Sequence, residues 1–324
     1  MTIRTIRVQA HGGPEVLTVE SVELSAPGPG EARVRHEAIG VNFVDTYFRS
    51  GLYKPPGLPF TPGVEASGVV EAVGEGVTSV AVGDRVAYGT APVGAYAEAR
   101  NVPARVLVRL PEGIDHAVAA SLMVKGMTAE YLLFRTFAVE PGQWLLVHAA
   151  AGGVGALLCP WAKRLGAHVI GVVGSEAKIA PAKASGCDHV LLQSDEWAKR
   201  ANELSGDGVH VVYDGVGRDT FVGSLDALRP RGLLASYGQA SGTIPPFDVA
   251  SLGAKGSLYL TRPSLFVYCA TPEELALSAG RVFGAVARGD LEVAPPRVVP
   301  LAEARRAHEE LEGRRTTGAT VLVP

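Results

Sequence analysis

The residues best suited to chemistry in this chain of 324 residues begin at Ala149-Ala150-Ala151-Gly152-Gly153-Val154-Gly155. The run follows a short apolar segment, Trp144 to His148. It leads into a helix-like stretch, Gly153 to Leu165, with Lys163 and Arg164 in the last turn and Gly166 as a stop. A strand, a glycine loop and a helix in that order are the context a dinucleotide site requires. Gly152 and Gly153 let the backbone turn sharply and approach a pyrophosphate, and Gly155 lets the helix pack closely on its sheet. The helix N-terminus adds free N–H groups and a partial positive charge. Ala151, Gly152, Gly153 and Val154 are therefore the expected phosphate contacts. The spacing is A-x-x-G-x-x-G rather than the full G-x-G-x-x-G, and an ordinary glycine-rich turn is the plain alternative. Pro160, inside the same helix, removes a hydrogen bond and predicts a kink after Ala156.

The next strand selects between two cofactors. An NAD site usually carries an acid at the end of that strand, where it binds the ribose 2′-hydroxyl. Here the strand ends Val172-Val173-Gly174-Ser175, with Lys178 soon after. Glu176 lies beyond it, where a helix start explains it equally well. A small Gly174, the Ser175 hydroxyl and a cationic Lys178 suit a 2′-phosphate, hence NADPH. The alternative for Lys178 is a solvated helix lysine.

Other chemistries lack their residues. The three cysteines, Cys159, Cys187 and Cys269, are far apart and odd in number, which argues against a disulfide framework. No CxxC, HExxH or clustered His/Cys set supports a metal. Thirty basic and 33 acidic residues give a net charge of −3 with no basic stripe, so nucleic acid is not expected as a partner. No leader-like apolar region follows Met1, and no uninterrupted apolar stretch spans a bilayer. These features together predict a soluble cytoplasmic protein with no membrane partner.

The elements that must hold these residues change character along the chain. The first third reads as short strands between turns, at Ile3 to Gln9, Ala32 to Ile39, Gly68 to Val73 and Asp84 to Ala87. Residues 116–135 read as an apolar helix, with Ala117, Ala120, Met123 and Leu132 inward. Strands and helices then alternate: strands at His168 to Val173, Val209 to Tyr213 and Leu233 to Tyr237, and a helix at Glu176 to Ser185 stopped by Gly186. That alternation predicts an α/β protein with a doubly wound parallel sheet. A helix at Leu301 to Gly313 and a strand at Ala319 to Val323 close the chain.

Several longer motifs run nearly end to end: H-G-G-P-E-V-L at 11–17, G-V-N-F-V-D-T-Y-F-R-S-G-L-Y at 40–53, H-A-A-A-G-G-V-G at 148–155, Y-D-G-V-G-R-D-T at 213–220 and G-S-L-Y-L-T-R-P-S at 256–264. With them the chain resembles the zeta-crystallin-like quinone oxidoreductases of the zinc-independent medium-chain dehydrogenase/reductase superfamily. The resemblance implies a GroES-like β-rich substrate domain at 1–124 and 267–324. A Rossmann NADPH-binding domain would occupy 125–266. It places Asn42 and Lys125-Gly126-Met127-Thr128 at the nicotinamide, and Gly174, Ser175 and Lys178 at the adenosine phosphate. Gly217, Tyr237, Gly238, Ser264 and Leu265 would line the middle of the dinucleotide, and Arg315 would close over it. Gln193 stands where the family often has a tyrosine near the adenosine.

Zinc alcohol dehydrogenases carry a cysteine where this chain has Asn42 and G-H-E where it has Gly63-Val64-Glu65. Without thiolate and imidazole the Lewis acid is lost, which disfavours simple alcohols and leaves electrophilic acceptors such as quinones or enones. Something must then polarise the acceptor oxygen. Tyr53, Asn42 and Tyr47 are the candidates, with Asp45 and Arg49 beside them. Tyr53 matches a catalytic tyrosine of related enoyl reductases, although it could simply wall the pocket and Tyr47 could simply pack at a helix start. Arg49 reads as a surface ion-pair partner, His308 as a helix-surface residue and His148 as a packed histidine. The apolar strand Gly256 to Thr261 predicts a homodimer by edge pairing, as in the family. Two other functions remain open: an NADPH-dependent enone, alkenal or enoyl-thioester reductase, and a non-enzymatic NADPH- or RNA-binding protein.

Overall fold

The computed structural model describes residues 1–324, which divide into two units. One comprises Met1–Lys125, Cys269–Phe283 and Val293–Pro324. The other comprises Gly126–Tyr268 and Gly284–Glu292.

The first unit opens with a hairpin of β1 (Thr2–Val8) and β2 (Leu17–Glu23). Then come β3 (Glu31–Gly40), α1 (Phe43–Ser50), β4 (Ala66–Val73), β5 (Arg85–Tyr88), β6 (Ala99–Pro103), β7 (Val108–Arg109) and α2 (His116–Tyr131). In β3 every second residue from Ala32 to Ala38 is buried, so one face packs inward as the alternation requires. It pairs antiparallel with β4 and β6.

The second unit begins inside α2, which passes into a π-helical turn at Leu132–Thr136. The 21-residue stretch His116–Thr136, although interrupted by Lys125, Glu130 and Arg135, is long and apolar enough to cross a membrane by composition. Of its apolar 18-residue window 78% is buried in the protein, as in a core helix. The unit continues through β8 (Trp144–His148), α3 (Gly155–Arg164), β9 (His168–Val173), α4 (Ile179–Ala184), β10 (His189–Leu192), α5 (Trp197–Ser205), β11 (Val209–Asp214), α6 (Phe221–Asp226), β12 (Leu228–Ser236), α7 (Ala250–Ala254), β13 (Tyr259–Thr261) and α8 (Leu265–Tyr268). The sheet is parallel in the order β10-β9-β8-β11-β12-β13. This is the Rossmann order, and the strand direction of travel reverses between β8 and β11. Ligands of such sheets bind beyond the carboxyl ends of the strands at that reversal, which is bordered here by the segments after β8 and β11. Leu146, Ile170, Val212 and Leu234 of the sheet are buried against Trp197, Phe221 and Leu225 of α5 and α6.

The rest is α9 (Pro272–Ala287), β14 (Arg297–Pro300), α10 (Ala304–Glu312) and β15 (Thr320–Val323). β15 joins the first unit's sheet between β14 and β3. The 16-residue α9 escaped sequence reading, as did α1, β2 and β6. The helix expected at 176–185 is a 3-10 turn at Glu176–Lys178 followed by α4. α3 remains one helix through Pro160.

Candidate active site

In the first unit the key group is a buried carboxylate. Gly63, at φ +92°, turns the chain so that Glu65 precedes β4, and a Cβ at Gly63 would strike the ring of Tyr96. Glu65 is fully buried. The amide Nδ2 of Asn42 donates to its Oε2 at 2.7 Å, the Lys125 ammonium donates to the same oxygen at 3.2 Å, and the Val124 N–H donates to Oε1 at 2.6 Å. A side chain at Gly40, the last residue of β3, would run into this carboxylate. Glu65 thus draws together Asn42 at the start of α1 and Lys125 in α2. A buried charge needs such partners, because desolvation is otherwise uncompensated. With one Nδ2 proton committed to Glu65, the second Nδ2 proton and the acceptor Oδ1 are the amide's remaining polar functions.

The first turn of α1 is fixed by Asp45, whose Oδ2 accepts the Asn42 N–H at 2.8 Å. Tyr47 is buried on α1, and Tyr53 follows the helix after the left-handed Gly51. Their rings meet edge-on with centroids 5.3 Å apart, and Tyr53 also packs on Phe48 at 5.7 Å. The structure therefore brings Tyr47 and Tyr53 together. Two sequence readings are corrected here. Arg49 is not a surface residue: it is buried and grips Glu312 with both Nη atoms, at 2.9 and 2.7 Å. His308 is not on the helix surface either: it is fully buried between Arg49 and Tyr96, at 3.0 Å from each. The charged neighbours Arg305, Arg306 and Glu309 disguised an inward face made by Ala304, Ala307 and His308.

In the second unit the loop after β8 is tight. Ala149 adopts a left-handed φ of 51°, and its carbonyl accepts the Gly152 N–H at 2.7 Å. A Cβ at Gly155 would lie 2.5 and 2.6 Å from the carbonyl oxygens of Ala149 and Ala150, so only glycine lets α3 start here. No side chain caps α3. Its first-turn N–H groups, beside Ala151, Gly152, Gly153 and Val154, are the kind that bind phosphate oxygens.

At the end of β9, Ser175 is extended and starts the 3-10 turn that carries Lys178. The Lys178 N–H donates to the Ser175 carbonyl at 3.0 Å, which brings the two together. A Cβ on Gly174 would meet only the Gln193 amide oxygen, at 3.9 Å, so Gln193 faces Gly174 across open space. Beyond β11 the buried carboxylate of Asp214 accepts the N–H groups of Val216 and Gly217 at 2.8 and 3.0 Å. It also accepts the hydroxyls of Thr220 and Ser224 at 2.8 and 3.0 Å. His148 packs against this cluster, 3.0 Å from the Ser224 hydroxyl. Gly217 has φ +91°, the Tyr237 ring lies against Gly215, and Gly238 packs on the Gly215 carbonyl. Tyr237 and Gly238 thus both pack on Gly215, two residues before Gly217.

The remaining predicted residues lie on other elements. Thr128 is buried in α2, and Ser264 leads into Leu265 at the start of α8. Arg315 follows α10 and donates to the Glu309 carbonyl at 3.3 Å. Sequence reading missed Glu65 and Asp214 as organising carboxylates.

The second unit fits a dinucleotide. Its helix N-terminus is uncapped, glycine is obligatory at 155, Gly174 opens on free space, and no carboxylate ends β9. The first unit does not fit zinc. Its donors are an amide and a carboxylate already bonded to an ammonium, and no three His, Cys, Asp or Glu residues converge.

Residues 28–112 match the alcohol dehydrogenase GroES-like domain, and residues 153–267 match the zinc-binding dehydrogenase family. The chain is 50% identical to a quinone oxidoreductase of Pseudomonas aeruginosa, over 99% of each chain. It is 45% identical to a 2-haloacrylate reductase of a Burkholderia species, over 98% of each. The crystal structure of Escherichia coli quinone oxidoreductase complexed with NADPH superposes with a TM-score of 0.96 at 44% identity, covering all of both chains. These likenesses and the two-unit architecture show that the chain belongs to the quinone oxidoreductase family of the medium-chain dehydrogenase/reductase superfamily.

Proposed function

We propose that this protein is an NADPH-dependent quinone oxidoreductase that works without zinc. The observation that carries the reading is the Asn42–Glu65–Lys125 group, which puts an amide and an ammonium where a dehydrogenase of alcohols would need metal donors. The substrate domain corresponds to 1–124 with 267–324, and the cofactor domain to 125–266.

When bound, NADPH supplies the hydride. The chain's residues bind, orient and compensate charge. The N-terminus of α3, with Ala151 to Val154, takes the pyrophosphate, and Ser175 and Lys178 with Gly174 take the 2′-phosphate. Gln193 contacts the adenosine by hydrogen bonding. Gly217, Tyr237, Gly238, Ser264 and Leu265 line the middle of the dinucleotide, Thr128 lies on its nicotinamide side, and Arg315 closes over it. Asn42 orients the nicotinamide amide or the acceptor through Oδ1. The Lys125 ammonium, held by Glu65, favours negative charge developing on the acceptor oxygen. Tyr53, with Tyr47 packed behind it, donates the proton that the reduced acceptor takes up.

Initial rates of NADPH and NADH oxidation against a panel of quinones and a panel of α,β-unsaturated carbonyl compounds test this reading. Quinone turnover with NADPH preferred supports it. Turnover of unsaturated carbonyls alone moves the protein to the second reading, which the 2-haloacrylate reductase relative favours. Binding of NADPH with no turnover leaves a non-enzymatic role.

Two further assignments belong to the proposal. β13 is the edge strand of its sheet, with Tyr259 62% exposed, and supports a homodimer formed across it; light scattering on the purified protein checks this. Three cysteines outside any disulfide suit the cytoplasm.

A further inference from the structure

A directed chain of buried hydrogen bonds runs behind Asn42. The Arg49 guanidinium has only donors, so the His308 Nδ1 facing it at 3.0 Å must accept. The proton of this neutral imidazole is therefore on Nε2, which donates to the Tyr96 hydroxyl at 3.0 Å. Tyr96 donates in turn to Asp45 Oδ2, also at 3.0 Å. The same oxygen accepts the Asn42 N–H at 2.8 Å. Every donor in the chain points toward Asp45. Asp45 is fully buried, and its second oxygen, Oδ1, has no hydrogen-bond partner.

We propose that Asp45 is a positioning residue for the acceptor side of the site, and that only its ionised carboxylate, aligned by Tyr96 and His308, holds Asn42 in its bonding position. The inference rests on the quinone oxidoreductase reading. Two donors converge on one oxygen, and a carboxylate binds them more strongly than a neutral acid does. Protonation loosens the first turn of α1, and Asn42 with it.

Other groups around Asp45 set where it titrates. Burial pushes its pKa up to about 7, against the lowering effects of the Asn42 N–H, the Tyr96 hydroxyl and the Lys125 ammonium; the Glu65 carboxylate raises it. Arg49, neutralised by Glu312, stands one turn along α1. Burial and the Arg49 charge hold His308 down to about 3, so it stays neutral throughout.

The experiment measures KM for a quinone without ionisable groups, at saturating NADPH, from pH 5.5 to 8.5. Wild type, Asp45→Asn and Tyr96→Phe are compared. Asparagine retains the acceptor and removes the titration. Wild-type KM is expected to be about tenfold higher at pH 6 than at pH 8, because only the ionised fraction binds, with kcat unchanged. Asp45→Asn should hold KM within about twofold over that range. Tyr96→Phe, lacking one donor to the charged oxygen, should move the inflection to higher pH. A flat wild-type profile, an Asp45→Asn profile like wild type, or an unmoved inflection in Tyr96→Phe overturns the proposal.

A second readout needs no turnover. A raised folded pKa makes wild type lose stability relative to Asp45→Asn as pH rises from 5 to 8. A constant difference between their unfolding midpoints overturns the buried ionisation even if the quinone reading fails, whereas a growing difference without quinone turnover sinks only that reading.

Discussion

Replacing Glu65 by glutamine tests the centre of the first unit. Glutamate offers two acceptor oxygens to three donors: the Asn42 amide, the Lys125 ammonium and the Val124 N–H. Glutamine offers one oxygen and an NH2, so whichever way it turns, a donor faces a donor. The Lys125 ammonium, 6% exposed, also loses its counter-charge. Removing one partner of a buried pair costs about 3–5 kcal/mol, which for a unit of this size lowers Tm by on the order of 10 °C. The assay is urea unfolding followed by far-UV circular dichroism. Tryptophan fluorescence will not serve, because Trp144, Trp161 and Trp197 all lie in the second unit. The double variant Glu65→Gln/Lys125→Met removes the stranded charge as well and should recover about 2 kcal/mol of the loss. A single-variant cost below about 1 kcal/mol, or a double variant as unstable as the two singles summed, would refute the argument that the pair is mutually compensating.

Three other substitutions and conditions follow from named contacts. Ala149→Gly relieves a left-handed alanine and should stabilise the second unit by about 0.5–1 kcal/mol after the added flexibility of the unfolded chain is deducted, read from the tryptophan signal in urea. Lys178→Met should raise KM for NADPH about tenfold or more and leave NADH unchanged; equal loss for both cofactors would place Lys178 elsewhere than at the 2′-phosphate. His36 is buried between the Ala97 carbonyl and the Tyr88 hydroxyl, and burial lowers its pKa to about 4. The folded state therefore binds fewer protons than the unfolded state between about pH 6.5 and 4. Stability from this group is complete above pH 6.5 and is lost as pH falls, by roughly 3 kcal/mol in full. Unfolding midpoints of His36→Gln should fall less steeply over that window than those of wild type.

The β-α alternation of the second unit was legible because apolar strands end near Gly174 and Gly238 and the helices between them stop at Gly166 and Gly186. The nucleotide loop declared itself through glycine spacing. Less was legible where tertiary contacts decide. Glu65 was read as a lost metal motif, yet a lone carboxylate within Gly63-Val64-Glu65-Ala66 and a lone lysine within Met123-Val124-Lys125-Gly126-Met127 carry opposite charges in apolar runs. Two such residues must find each other or stay outside, and that signal was available. His308 was readable from the spacing Ala304, Ala307, His308, had the charged residues between them been set aside. Asp214 was not readable as a hub, because its donors come from a loop whose turn no spacing rule fixes. The bonds to Val216 and Gly217 exist only once Gly217 has taken its positive φ.

The contact between Lys125 and Glu65 bears on how readily this chain could acquire a metal. Exchanging Asn42 for cysteine and Val64 for histidine would supply a thiolate and an imidazole by name. The ammonium 3.2 Å from Glu65 Oε2 would remain, and a dication brought beside it would meet a like charge in a dry setting. Position 125 would have to change first, yet changing it alone strands the Glu65 carboxylate. Each single step toward that ligand set is therefore disfavoured, because an acid and a base constrain each other's replacement.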